Sequence, residues 1–589
     1  MDENNPEKPQ DAACTETNSD NKLSPPSSLP TFQPTKRFWA IISTCAVIGL
    51  LSALENTVVT TALPHIVTEL TLGENYVWVT NVFFLTGAAV QPLFGQLADI
   101  YGRRWVTMVI VAFFTLGSGI AGGAINGAML IAGRAVQGIG AGGIYIIIDV
   151  IVSDLVPLRL RGNYMAVILV VYTIGMALGP WVGGEIVATT TWRWVFYINL
   201  PIGGASMIMI FLFLRVQHNR TQTAMQKLRS IDYIGNIILI GSTVAILYAL
   251  TYGGTKYPWS SAEILSPLII GLAGLPIFLW YETKATDPVM PPALFHNRTS
   301  TTIFIATFLN SALMYWLIFF LPVYFQAVQG ASAAQAGVLL LPAILFGIPG
   351  GIVAVLLLTR FGRYKPIHLT GFALSILGVG LFNLLDERTT TGQLVAYQLV
   401  AAVGSGLVLN TLLPAVQAQV DEHHQAATTA AWSFVRSLGS IWGVAVPAAV
   451  FNNRFSTVAA RVIVDPDVRG LFGGGNRAYE NARADFVASF PSPAREQITR
   501  SYMEALRLIW QIAIAFSAAN FLVVLFEKEV PLRTELETEF GLEGDGKAPE
   551  GLDDGGGKEA EGDSSASGQD AAVKEVSASP HGHASVGEA

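Results

Sequence analysis

Charge is what this sequence has least of. Only 13% of its 589 residues are Asp, Glu, Lys or Arg, against about 25% in an ordinary soluble domain. A water-facing surface cannot be built from so few charges, so a soluble globular protein is excluded. Cysteine is nearly absent. Cys14 and Cys45 are the only two, and they can make neither a disulfide framework nor a zinc spacing. No phosphate-cradling loop of the Walker type occurs, which leaves an ion gradient as the energy source. No metal-ligand cluster or nucleophile motif speaks for an enzyme. His423 and His424, beside Asp421 and Glu422, read as a polar loop rather than a metal site. No cofactor is expected.

What is abundant is apolar: 51% of the chain is hydrophobic, with 57 glycines that let membrane helices approach closely. The net charge of −8 is carried by the ends. Residues 527–589 hold sixteen acids and five Lys/Arg, and residues 1–37 hold six and four, so the body between them is positive. Both tails are expected to be disordered and cytoplasmic. The first apolar run starts near Phe38, behind a long polar segment, and reads as a retained span rather than a cleaved signal.

A spanning helix needs about 20 mostly apolar residues, and only helices satisfy their own backbone in lipid. That ruler predicts fourteen spans near 38–60, 76–98, 105–125, 128–152, 163–187, 194–215, 232–252, 263–281, 301–325, 334–358, 366–385, 394–419, 429–451 and 505–526. Positive charge collects in cytoplasmic loops. The loops after even-numbered spans carry Arg103 and Arg104, then Arg159 and Arg161, Arg215, Arg220, Lys227 and Arg229, Lys284 and Arg298, and finally Arg360, Arg363 and Lys365. Those after odd-numbered spans carry few: Arg193, Lys256 and Arg388. Both termini are therefore expected in the cytoplasm, and Asn219 and Asn297, each heading an Asn-Arg-Thr sequon, are expected to be unglycosylated. The long segment 452–504 falls on the outer side, and a short amphipathic helix is expected in it.

Gly95-Gln-Leu-Ala-Asp-Ile-Tyr-Gly-Arg-Arg after span 2 is echoed by Arg360-Phe-Gly-Arg-Tyr-Lys after span 10. If both segments occupy equivalent loops, the chain divides into halves 38–215 and 301–526, with spans 7 and 8 inserted in a linker, 216–300. Such repeats mark secondary carriers. Asp99 and Arg103 are four apart, side by side on a helical turn, and Gly95 and Gly102 permit close packing and a sharp turn. With Arg104 and with Asp154, near the inner end of span 4, they can form a cytoplasmic latch between the halves or a simple helix-end turn. Asp154 has Arg103 or Arg159 as its candidate partner.

The loop closely resembles the signature loop of the major facilitator superfamily. Arg134-Ala-Val-Gln-Gly-Ile-Gly-Ala-Gly-Gly resembles its fourth-span motif, and Gly175-Met-Ala-Leu-Gly-Pro-Trp-Val-Gly-Gly its fifth-span antiporter motif. Leu54-Glu-Asn-Thr-Val-Val-Thr-Thr-Ala-Leu-Pro and Trp192-Arg-Trp-Val-Phe-Tyr-Ile-Asn-Leu-Pro-Ile-Gly look like the fourteen-span drug:proton antiporter branch. Ser433-Phe-Val-Arg-Ser-Leu-Gly-Ser-Ile-Trp-Gly looks like its fungal members. The resemblance covers about residues 38–526 and implies an all-α carrier with 6+2+6 spans. Two departures stand out: Glu55 takes the place of the branch's usual Asp, and the second-half loop lacks a counterpart to Asp99.

Glu55 lies within span 1, where an ionised carboxylate is expensive and burial favours the neutral form. It reads as the proton carrier, or else as a neutral acid bonded between helices. Arg134 cannot shed its proton; in the family the corresponding residue is implicated in proton transfer, and the alternative is snorkelling to the interface. Asp149 stands 15 residues further along the span, ~22 Å away at 1.5 Å per residue, too far to pair with Arg134, and is a candidate for the inner vestibule. Gly175, Gly179, Gly183 and Gly184 form a small-residue stripe, with Pro180 bending span 5. The resemblance ties that stripe to export. Glu185 is expected at the interface. Trp78, Tyr145, Trp181, Tyr315, Trp316, Tyr324 and Trp432 are candidates for an apolar cavity, or for packing and lipid contact.

The expected activity is proton-coupled export of small, mostly apolar molecules by alternating access. Uptake of an iron chelate or nutrient on the same fold is the alternative. The expected partners are lipid, protons and a small molecule, with no nucleic acid. The expected state is a monomer in the plasma membrane, with the vacuolar membrane as the other option.

Overall fold

The computed structural model describes residues 34–532 except 71, 73–75, 159, 216–223, 254–256, 422–423, 473–476 and 531. Most of the two tails (1–33 and 533–589), Arg159, Asn219, Arg220, Lys256, Glu422 and His423 therefore lie outside the described residues, as do the side chains of Pro180, Trp181 and Glu480. The first bundle comprises α1 (Lys36–Glu69), α2 (Tyr76–Ala89), α3 (Gln91–Tyr101), α4 (Arg103–Gly122), α5 (Gly127–Leu155), α6 (Arg161–Thr189), α7 (Arg193–Tyr197) and α8 (Asn199–Phe213). Short α9 (Ala224–Arg229) leads into the linker pair α10 (Tyr233–Tyr252) and α11 (Ala262–Glu282), and short α12 (Ala293–His296) follows. The second bundle comprises α13 (Arg298–Ala327), α14 (Ala333–Leu345), α15 (Gly347–Phe361), α16 (Lys365–Phe382), α17 (Thr391–Leu409), α18 (Leu412–Gln417) and α19 (Gln425–Val462). Short α20 (Pro466–Leu471), α21 (Arg477–Glu480) and α22 (Ala484–Ala488) precede its last helix, α23 (Ala494–Leu525).

Among the described residues, twelve helices are long and apolar enough to cross a membrane. The expected second span is broken into α2 and α3 at Val90, where Pro92 enters the first turn of the next helix, the position in which a missing N–H is harmless. The expected fifth span coincides with α6, helical over 29 residues. Local signals set several starts: Thr35 Oγ1 accepts from Phe38 N at 3.2 Å, and Asn126 Oδ1 accepts from Met129 N at 2.8 Å, each satisfying an orphan donor. Segment 452–504 contains less loop than expected. The helix before it continues to Val462, the one after it starts at Ala494, and three short helices rather than one lie between. Phe455, Phe472 and Tyr502 pack there, and Tyr502 donates to Ala478 O at 2.7 Å.

Helix neighbours repeat between the bundles. The pairs α1–α6, α2–α5, α4–α5, α4–α8 and α1–α8 have counterparts in α13–α19, α15–α17, α16–α17, α16–α23 and α13–α23. The pair α10–α11 packs on itself and touches α2 and α19. Each bundle buries its own apolar clusters, around Ile110, Phe114 and Ile147 in the first and Trp316, Phe320 and Trp510 in the second. Outward faces stay apolar, as with Ile269, Ile270 and Trp280 on α11. That is the pattern of helices solvated by lipid rather than water.

Candidate functional site

Glu55 and Arg134 meet. Although 79 positions apart, their side chains form an ion pair between α1 and α5. Arg134 Nη1 also donates to Gln137 Oε1 at 2.7 Å, and its Nε donates to Val79 O at 2.9 Å. Asn199, at the start of α8, donates to the other Glu55 oxygen at 2.5 Å and to Ser118 Oγ at 3.3 Å. Ser118 in turn accepts from Gln137 Nε2 at 2.7 Å. The Phe83 ring lies 4.2 Å from the guanidinium carbon. Glu55 is 0% exposed and Arg134 2%, so snorkelling is not the arrangement here. A buried pair is held only when its remaining donors and acceptors are satisfied, and stripping one partner costs about 3–5 kcal/mol. Five helices, α1, α2, α4, α5 and α8, contribute to the network that meets that condition. Asn199 and Gln137 were not singled out from sequence, though both fall inside the quoted motifs.

The stripe on α6 faces α1, the helix that carries Glu55. A Cβ on Gly179 would lie 1.9 Å from Thr57 Oγ1 and 3.1 Å from Leu54 O, and one on Gly175 would lie 3.0 Å from Ala53 Cβ. Gly183 is buried, while Gly184 has open space around it and Glu185 is exposed. The stripe thus acts as a close-packing surface at Gly175 and Gly179, not along its whole length.

The signature loop forms a second cluster. Gly102, at φ 83°, turns the chain between α3 and α4, a conformation open to glycine. The turn breaks the helix that would have set Asp99 beside Arg103, yet the two still pair at 2.9 Å. Arg103 Nε donates to Asp154 Oδ2 at 2.6 Å. Arg104 points elsewhere, donating to Phe211 O at the end of α8 at 2.5 Å. Gly95 sits against the other bundle, where a Cβ would come 2.4 Å from Ala430 Cβ on α19. Arg161 at the start of α6 spans the bundles outright, donating to Gln417 Oε1 at 2.8 Å and Gln425 Oε1 at 3.0 Å. It counted in the sequence only as a loop charge.

The second-half loop finds its acids outside itself. Arg363 pairs with Glu529 at 2.9 Å, and His368 Nδ1 lies 3.0 Å from both oxygens of buried Glu527. Lys365 Nζ donates to Leu525 O at 3.1 Å. Tyr364 OH donates to Lys528 O at 2.9 Å and accepts from Val530 N at 2.8 Å. Burial pushes the Tyr364 hydroxyl up to about 12, so it stays a donor at neutral pH. The first residues of the acidic segment are therefore a strap on α16 rather than the beginning of a free tail.

Of the aromatic candidates, Tyr145 is bonded OH to OH at 2.6 Å to Tyr172, which the sequence did not single out, and Asn56 Nδ2 donates to both at 2.7 and 3.2 Å. Trp78 bonds Tyr252 of the linker pair, and Trp316 and Tyr324 are packed in the second bundle's core. Asp149 is buried on α5, with Arg436 of α19 as the cation acting on it. Among the described residues no group of three or more His, Cys, Asp or Glu is placed to hold a metal ion.

The model of the Major Facilitator Superfamily matches residues 45–444. The chain is 49% identical over 533 residues to the MFS-type transporter TwmF of Talaromyces wortmannii, covering 90% of this chain and 97% of that one. It is 44% identical to the MFS-type efflux transporter ffsH of Aspergillus flavipes (90% and 92% covered). It is 42% identical to the efflux pump FUS6 of Gibberella fujikuroi (88% and 94% covered). Among solved structures, the human organic anion transporter MFSD10 is similar at a TM-score of 0.52 and 16% identity, covering 84% of this chain and 100% of that one. The proton:xylose symporter XylE is similar at 0.52 and 12%, with 85% and 98% covered. These two likenesses concern the fold alone.

Proposed function

This chain belongs to the major facilitator superfamily, and on that premise we propose that it is a proton-coupled exporter of small, mostly apolar molecules. In this reading fourteen spans divide as 6+2+6. The halves 38–215 and 301–526 rock about a midplane site, with linker 216–300 between them. Both termini lie in the cytoplasm, the segment 452–504 outside, and the chain works as a monomer in the plasma membrane.

The observation that carries the reading is the Glu55–Arg134 pair. Both of its side chains are at 2% exposure or less. A proton arriving on Glu55 cancels the charge that holds Arg134 and Asn199, so protonation is coupled to the packing of α1, α5 and α8. Gly175 and Gly179 pass any shift of α1 to α6. The Arg103–Asp154 and Arg161–Gln417 contacts hold the signature-loop side together, the arrangement expected of a carrier closed toward the cytoplasm. Relatives named as efflux transporters and efflux pumps favour export over uptake.

Glu55→Gln tests this. It keeps the shape and removes the titration. In inside-out vesicles, gradient-driven accumulation of a dye exported by the wild-type chain should disappear, while dye-for-dye exchange at equal pH continues. Unchanged gradient-driven accumulation would refute the role of Glu55.

A further inference from the structure

Among the described residues, Arg436 and Asp149 are charged side chains inside the bundles that the latch, the proton pair and the strap leave unused. Arg436 lies on α19, eleven residues past its start at Gln425, roughly 16 Å along the axis at 1.5 Å per residue. It belongs to the second half, Asp149 to the first. Each acts electrostatically on the other, yet among the described residues neither has a hydrogen bond or an ion pair through its side chain. Arg436 is half-buried, with the Trp432 ring 4.7 Å from its guanidinium carbon. Trp432 is 3% exposed, and its indole N–H has no partner.

An unpaired charge within a membrane bundle is costly and marks a functional site by default. A tyrosine hydroxyl lies within its electrostatic reach. Tyr315 of α13 feels both Arg436 and Tyr145, and Tyr145 is bonded to Tyr172 and Asn56. Guanidinium donors and flat aromatic faces from both halves together suit one kind of guest: a planar body bearing an anionic oxygen, such as a carboxylate or an enolate. A guanidinium holds such a group with two parallel bonds.

We propose that Arg436 is the anion-recognising residue of the substrate site, that the exported molecules are aromatic or conjugated organic acids, and that Asp149 is the acid their anionic group displaces from Arg436's field. The proposal rests on the export reading above and deepens it.

The test uses cells expressing the full-length chain, loaded with fluorescein as its uncharged diacetate or with rhodamine 123. The two dyes share a xanthene body and differ in charge. Wild-type chain should speed fluorescein efflux over the empty vector and leave rhodamine 123 nearly unchanged. Arg436→Gln should raise the fluorescein concentration for half-maximal efflux about tenfold or more, the loss expected for one charged hydrogen-bonding partner. Arg436→Lys should recover part of that loss, and Asp149→Asn should shift the half-maximal concentration downward. Surface abundance of each tagged variant, and the Arg436→Lys result, separate misfolding from lost recognition. Preference for rhodamine 123, export of neither dye, or Arg436→Gln at wild-type fluorescein efflux overturns the proposal. None of these outcomes touches the Glu55 result in vesicles, which decides the proton-coupled reading separately.

Discussion

Gly179 gives the sharpest mechanical prediction. Its Cβ position lies 1.9 Å from Thr57 Oγ1, 2.9 Å from Thr57 Cβ and 3.1 Å from Leu54 O. Thr57 is short and β-branched, so it has little freedom to swing clear, and its hydroxyl faces Ala53 O and Leu54 O at 3.4 and 3.3 Å. Gly179→Ala must therefore push α6 away from α1 by several tenths of an ångström, at an overpacking cost of about 1–3 kcal/mol. Gly179→Leu should separate the helices further, abolishing export while the chain remains inserted. The second substitution Thr57→Ala removes the 1.9 Å conflict but keeps the one at Cβ, so it should restore part, not all, of the stability and export lost in Gly179→Ala. Thermal unfolding of the purified protein followed by tryptophan fluorescence, together with dye efflux from cells, reads both quantities in one double-mutant cycle. Wild-type export by Gly179→Leu, or no relief of Gly179→Ala by Thr57→Ala, would refute the coupling of α6 to α1.

The signature loop and the strap yield the others. Gly95→Leu should collide with Ala430 and prevent the halves from closing on that side, seen as cysteine labelling of that face at least several-fold faster than in wild type. Asp154→Asn leaves buried Arg103 with Asp99 alone as its acid, and should destabilise the protein by about 1–3 kcal/mol, the range for an unsatisfied buried group, in thermal unfolding. Deleting everything after Phe526 removes Glu527 and Glu529 from His368 and Arg363, and should lower the unfolding temperature, whereas deletion from 545 should not. Mass spectrometry should find Asn297 without a glycan. Its Nδ2 donates to Gln419 at 2.9 Å and its Oδ1 caps α13 through Thr299 N at 3.1 Å.

Local chemistry made much of this legible. Long apolar runs placed the helices, because lipid allows little else, and motif spacing placed Glu55, Arg134, Asp99, Arg103, Asp154 and the α6 glycines. Partnership was harder to read. The Glu55–Arg134 pair, the Asn199 bond and the Arg161 bridge join residues 79, 144 and 256 positions apart, and hydropathy contains no term for such pairings. The break at Val90 was foreshadowed by Pro92, but the halfway point of an apolar run hides it. The second loop contains no acid to match Asp99. Glu527 and Glu529 supply it from beyond the last helix, where an acid-rich composition suggested only a tail. Arg436 lay inside a quoted motif as one charge among apolar neighbours, and its lack of a partner is visible only once α5 and α13 stand beside it.

The claim at the centre is that protons moving inward drive small molecules outward. Inside-out vesicles carrying the wild-type chain, given an acid lumen and a fluorescent organic substrate, measure it directly through lumenal dye and lumenal pH together. Dye should accumulate in the lumen, the lumen should turn alkaline faster when dye is added, and both should stop when the gradient is collapsed. Accumulation indifferent to the gradient, or accumulation that requires an alkaline lumen, would contradict it.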